Sequence, residues 1–188
     1  MVYGGLVNKN IVAKLQALQT NAIGLSGADG NSILSNKRPV KDIDYGFVGD
    51  VKKINTPLLQ KLIGLDITPV FCAITHDKNG QLLNTNADSI VNAIATSLSS
   101  EYEVELIYCF EKNGVLMNAD DDNSVIKNLD FALFQDLKQK EIINKGMLPK
   151  LENCFQALNN GVHEIGIINA SNIVNYLNNN SNDGTRIK

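Results

Sequence analysis

The 188-residue chain has no tryptophan, four prolines and three cysteines, and aromatic residues make up only 6% of it. Cys72, Cys109 and Cys154 are odd in number and far apart, which excludes a disulfide framework and the paired CxxC spacing of a zinc site. Cys72 and Cys109 each close an apolar run (TPVFC, VELIYC), so the three are expected to be reduced core thiols. His76 and His163 are too distant in sequence to form a ligand pair; His76 is expected in a surface loop and His163 at the start of a strand. With 17 Lys+Arg against 20 Asp+Glu, net charge −3, there is no basic excess of the kind a dedicated nucleic-acid binder carries. No apolar run approaches the ~20 residues that span a bilayer. The opening MVYGGLVNKN lacks the charged and apolar regions of a secretory signal. GxxxxGK[ST], GxGxxG and GxSxG are all missing. Asp120-Asp121-Asp122 fails as an EF-hand loop, because Val125 and Phe131 stand where Gly and Glu are required, and reads as a solvated turn.

What is present has the composition of an ordinary soluble globular domain, 44% hydrophobic and 20% charged. Apolar positions 6, 7, 11, 12, 15 and 18 have helical spacing. NAIGL (21–25) reads as a buried strand running into the turn SGADGN, and SILSNKR with YGFVGDVKKI as a β-hairpin region. Thr56-Pro57 opens a helix with Thr as N-cap, ending near Gly64. DITPVFCAI reads as a second buried strand, and a helix follows from Ala87 to Leu98, capped by Asn86 or Thr85. VELIYCF (104–110) and HEIGIIN (163–169) are further strands; helices are expected over 131–140 and 148–158. Ser171 is a candidate cap for a last helix to Leu177, followed by a loose turn NNNSNDG and a terminal strand TRIK. Strands alternating with helices predict βαβ crossovers, a mainly parallel sheet with helices on both faces, and one continuous domain. Ligands then belong at the carboxyl ends of the strands.

Four stretches stand out. Asn84-Thr85-Asn86-Ala87-Asp88 lies at the mouth of a helix, where N–H groups and the dipole suit an anion. Plain N-capping accounts for it equally well. Gly146-Met147-Leu148-Pro149-Lys150 puts a lysine in a first helical turn, an unfavourable place unless a phosphate or carboxylate is near; a solvated lysine is the alternative. Glu111 to Leu116 is either the lining of a nucleotide pocket or an ordinary βα turn. Ser26-Gly27-Ala28-Asp29-Gly30 either approaches a ligand or only turns the chain.

In order along the chain, VNKNIV (7–12), GLSGADGN (24–31), DYGFVGDV (44–51), TPV (68–70), LNTNAD (83–88), NGVL (113–116), GMLPK (146–150) and GTRI (184–187) resemble the acetylglutamate kinases of the amino-acid kinase family. NTNAD with GMxPK is the most specific pair. The resemblance implies an α/β fold, a three-layer αβα sandwich with an open, mainly parallel sheet, and transfer of the ATP γ-phosphate, with Mg2+, to the side-chain carboxylate of N-acetyl-L-glutamate in arginine biosynthesis. It implies that Asn84 binds the acylated amino acid, Asp88 orients the catalytic lysines and Lys150 neutralises the transferring phosphoryl group. Glu111, Lys112, Asn113, Gly114, Val115 and Leu116, with Ile142, Ile143 and Asn144, would line the ATP site. Asn84 and Lys150 would converge on acceptor and donor across a shared sheet. A cytoplasmic homodimer, without membrane or nucleic-acid partners, is implied too.

The chain departs from the family at Phe110-Glu111-Lys112-Asn113, where an Asp-containing loop is usual, and at Lys145, where a small residue is common. The family's first strand with a Lys and paired glycines, its GGG loop and its substrate-binding Arg have no match. Residues 1–188 are therefore expected to be a single amino-acid kinase domain incomplete at its N-terminus. Two other readings fit the same residues: the same chemistry on N-succinyl-glutamate, and a non-catalytic amino-acid or nucleotide-binding module.

Overall fold

The computed structural model describes residues 2–143, 146–178 and 183–188. It divides into two compact units, 1–98 and 99–188.

In the first unit a π-helical segment Val2–Val7 leads into helix α1 (Asn8–Ala17), so the helical periodicity near the start of the chain is realised and extended. Strand β1 (Ala22–Leu25) pairs in parallel with β4 (Thr68–Phe71). Strands β2 (Ile33–Lys37) and β3 (Val48–Ile54) pair antiparallel as the hairpin pattern predicts, and close a small barrel with β5 (Ile74–His76) and β6 (Leu82–Thr85). DITPVFCAI is thus not one strand: it breaks at Cys72-Ala73, its first half pairing with β1 and its end entering the barrel. His76 accordingly lies in β5 rather than a loop, with Nε2 2.9 Å from Asn31 Oδ1.

Helix α2 (Thr56–Gly64) starts where expected, but Asn55 caps it, its side chain accepting from Leu58 N–H. Thr56 is already helical, one residue inside the cap. Helix α3 (Ala87–Leu98) keeps its expected bounds, and Asn86 Oδ1 accepts from Ser89 N–H at 3.0 Å. Ile33, Ile54, Leu59 and Ile90 form the core where the two helices meet the strands. Burying such side chains contributes about 1.5–3 kcal/mol each.

In the second unit β7 (Glu105–Phe110), β9 (Glu164–Asn169), β10 (Thr185–Ile187) and β8 (Asn128–Leu129) form one sheet in that order. The β7–β9 and β8–β10 pairs are parallel; β9–β10 is antiparallel. Strand β9 is buried on both faces, with Ile165, Ile167 and Ile168 fully covered, the signature of a central strand. Helix α4 (Phe131–Gln139) is capped by Asp130, and α5 (Leu148–Asn159) buries Leu151, Cys154 and Phe155. The Phe134 and Phe155 rings, 4.9 Å apart, join the two helices.

Asn169, not Ser171, caps the turn Ala170–Asn172 that precedes α6 (Ile173–Leu177): its Oδ1 accepts from Ser171 N–H. Most of NNNSNDG lies outside the described residues. Cys72 and Cys154 are buried core thiols, but Cys109 is exposed on β7, so only two of the three cysteines are in the core. Among the described residues no helix is long and apolar enough to cross a membrane.

Candidate active site

The carboxyl end of β7 opens into a cavity of about 290 Å3 lined by Phe110, Lys112, Gly114, Val115, Leu116, Ala119, Ile142, Ile143, Gly146, Met147 and Lys150. A shallower depression of about 570 Å3 shares Phe110, Lys112, Gly114 and Met147 with it and adds Cys109, Glu111 and Ala170. The expected nucleotide loop, the Ile142–Ile143 segment and Lys150 are therefore brought together at one place. This is the strand end at which parallel α/β folds bind ligands. A mostly apolar box with a few convergent polar groups is the usual form of a small-molecule site.

Asn113 does not line this cavity: its amide donates to Asp122 O at 3.3 Å and ties the loop to the acidic turn. Lys112 bonds Asp122 at 2.6 Å, an exposed pair that holds its ammonium above its ordinary pKa. Asn144 and Lys145 lie outside the described residues.

The loop is held from behind. Val115 N–H donates to Thr185 Oγ1 at 2.8 Å, and Thr185 is fully buried. A Cβ on Gly114 would stand 2.7 Å from that hydroxyl and 2.9 Å from Val125 Cγ1, so only glycine admits this approach. Lys150 enters from the first turn of α5, and its Nζ lies 3.7 Å from the Phe110 ring centroid and 5.6 Å from that of Tyr108. Sequence reasoning missed Phe110, which no motif marks.

In the first unit, Asn84 and Asp88 share the corner between β6 and α3. Asn84 N–H donates to Phe47 O at 2.8 Å, and Asn84 stands opposite Val48, so the DYGFVGDV segment runs directly beside it. Its side chain is exposed and makes no hydrogen bond among the described residues. Asp88 lies in the first turn of α3, where the helix dipole favours a carboxylate. A Cβ on Gly49 would meet Thr85 Oγ1 at 2.7 Å, so β3 and β6 close tightly under the corner.

The SGADGN stretch is tied both within itself and to its neighbours, Gly27 N–H donating to Ile74 O at 2.7 Å and the Asn55 amide to Gly30 O at 3.0 Å. Asp29 accepts from Ser26 N–H and Oγ, each at 2.7 Å, which holds its carboxyl below its ordinary pKa. Among the described residues no group of three or more His, Cys, Asp or Glu is arranged to hold a metal ion.

Residues 1–169 match the amino acid kinase family. The chain belongs to that family. It is 51% identical over its whole length to an acetylglutamate kinase of Cytophaga hutchinsonii, covering 71% of that protein. An acetylglutamate kinase of Parabacteroides distasonis is 55% identical over 92% of the chain, which covers 68% of that protein. Among solved structures, smu.665 from Streptococcus mutans superimposes over all of the chain with a TM-score of 0.78 at 25% identity, and 69% of it is covered. The family's α/β fold thus agrees with the architecture expected from alternating strands and helices.

Proposed function

We propose that the protein is an acetylglutamate kinase that transfers the γ-phosphate of ATP to the side-chain carboxylate of N-acetyl-L-glutamate, a step of arginine biosynthesis. The observation that carries this reading is the identity of 51% over the whole chain to one acetylglutamate kinase, and of 55% over nearly all of it to another. The cavity at the end of β7, edged by Lys150, supports it independently.

The acceptor carboxylate, with an unperturbed pKa near 4.3, is already ionised at neutral pH and needs no general base. Phosphoryl transfer then depends on alignment and on positive charge around the transferring oxygens. In this reading the apolar lining from Val115 to Ile143 receives the nucleoside, and Lys150 neutralises the phosphoryl oxygens. Asn84 grips the acylated amino acid through an uncharged amide, and Asp88 orients the cationic groups. Mg2+ arrives on the phosphates of ATP as part of the substrate. The two units act as one amino-acid kinase domain, in a cytoplasmic homodimer.

The test is ATP- and acetylglutamate-dependent acyl-phosphate formation, trapped as the hydroxamate, using protein that includes any residues encoded ahead of Met1. Hydroxamate that requires both substrates is expected. A well-folded protein that forms none overturns the assignment.

A further inference from the structure

The loop after β7 does not stay beside its own strand. It first crosses the carboxyl end of β9, where Asn169 Nδ2 donates to Glu111 O at 2.7 Å. It then reaches the start of β10, the neighbour of β9 on the side away from β7, where Val115 N–H donates to Thr185 Oγ1 at 2.8 Å. The Leu116–Val125 bridge turns it back towards β8. Two side chains at one edge of the sheet thus hold the loop in place.

The two holds differ in burial. The Asn169 bond is exposed, so water can take its place. The Thr185 bond is buried: Val115 is 2% exposed and Thr185 is fully covered. A buried N–H without a partner costs free energy comparable to a lost hydrogen bond. The Val115 carbonyl is committed as well, accepting from Ile126 N–H at 2.8 Å. The strand behind Thr185 is itself fixed. Arg186 N–H donates to Lys127 O at 2.8 Å, and the Arg186 and Lys188 side chains both bond Glu164 on β9. A hydroxyl mounted on a fixed strand sets the place of Gly114 and Val115, which wall the cavity.

We propose that Thr185 is a positioning residue for the nucleotide: its hydroxyl fixes the Gly114–Val115 backbone, and through it the wall of the cavity, before ATP enters. Without the hydroxyl the loop must shift to find Val115 N–H another partner, and each binding event must bring the wall back. The loss falls on ATP affinity. It spares turnover at saturating ATP, because Thr185 touches none of the groups assigned to the phosphoryl transfer. The inference rests on the kinase reading above.

The test uses the same protein as the hydroxamate assay. In wild type without ligand, the Val115 amide should be among the slowest-exchanging amides of the 111–126 loop. Thr185→Val, which keeps the shape but removes the hydroxyl, should speed that exchange about tenfold. It should weaken ATP binding in calorimetry, and raise KM for ATP, about fivefold. The kcat and the KM for acetylglutamate should stay within about twofold of wild type. Thr185→Ser, which keeps the hydroxyl, should restore both the slow exchange and the ATP affinity.

Fast exchange of the Val115 amide in wild type overturns the proposal, and that measurement needs no variant to fold. It is equally overturned if Thr185→Val lowers only the unfolding temperature and binds ATP like wild type, or if its kcat falls at unchanged KM for ATP. Thr185→Ser binding ATP as weakly as Thr185→Val overturns it too. A wild-type protein that binds ATP in a Thr185-dependent way but makes no acyl phosphate would instead overturn the acetylglutamate kinase reading and leave the role of Thr185 standing.

Discussion

The two units treat buried polarity in opposite ways. In the first, the buried polar side chains are neutral: Asn8, Ser32, Ser35, Thr75 and Thr85, with the Thr75 and Thr85 hydroxyls bonded at 2.7 Å inside the barrel. In the second, a carboxylate is buried. Glu164, only 4% exposed, is bonded by Arg186 and, at 2.6 Å, by Lys188. The candidate site residues follow the same division. Under the proposed kinase function, Asn84 would offer an uncharged amide to an acceptor that brings its own carboxylate, and Lys150 a full charge to a donor whose reacting group is a polyanion. A neutral scaffold adds no repulsion to a charged acceptor.

Lys150→Ala should break this comparison most. A kcat loss of about 10²–10³-fold is expected, the scale of deleting a donor to a developing oxyanion. Thermal and urea unfolding should change by less than about 1 kcal/mol, because Lys150 is a partly exposed side chain in the first turn of α5.

Glu164→Gln sharpens the contrast from the structural side. It leaves Arg186 and Lys188 facing a neutral amide, and should cost about 2–3 kcal/mol of stability in urea titrations. Burial pushes the Glu164 carboxyl up, but the Lys188 and Arg186 contacts outweigh it and hold the group below its ordinary value. A depressed carboxylate adds stability above its unfolded pKa and loses it as pH falls through the folded value. The gap between wild type and Glu164→Gln should therefore be full at pH 7 and shrink below about pH 4.

Gly114→Ala forces a methyl against Thr185 and Val125. About 1–3 kcal/mol of overpacking is expected, seen as weaker ATP binding by calorimetry with acetylglutamate KM unchanged. Asn84→Ala should have the smallest effect: a rise of about tenfold in KM for acetylglutamate, the value of one hydrogen bond to a charged group. Its unfolding free energy should stay within about 0.5 kcal/mol of wild type, because the residue is exposed.

Much of this arrangement was legible before any coordinates. The bounds of α3 followed from its apolar spacing and the Asn86 cap, and β9 from an unbroken apolar run. That the loop after β7 borders a cavity was legible from its place behind a buried strand, whereas its assignment to a nucleotide came only from the family resemblance. The split of DITPVFCAI was not legible, since apolarity reports burial and not which sheet a strand joins. Asn55 replaced Thr56 and Asn169 replaced Ser171 as caps because the cap is fixed by where the backbone turns helical, a matter of one or two residues. Cys109 ends an apolar run yet is exposed, because it shares with Glu105 and Ile107 the less covered face of β7. The approach of Lys150 to the Phe110 ring left no local signal, because it arises only once α5 packs on the sheet that holds β7 and β9.

The division of labour between the units is tested most directly by calorimetric titration of ATP into wild type, Lys150→Ala and Asn84→Ala. Weakened binding to Lys150→Ala with wild-type affinity in Asn84→Ala is the expected result. Wild-type affinity in Lys150→Ala, with binding lost in Asn84→Ala, would contradict it.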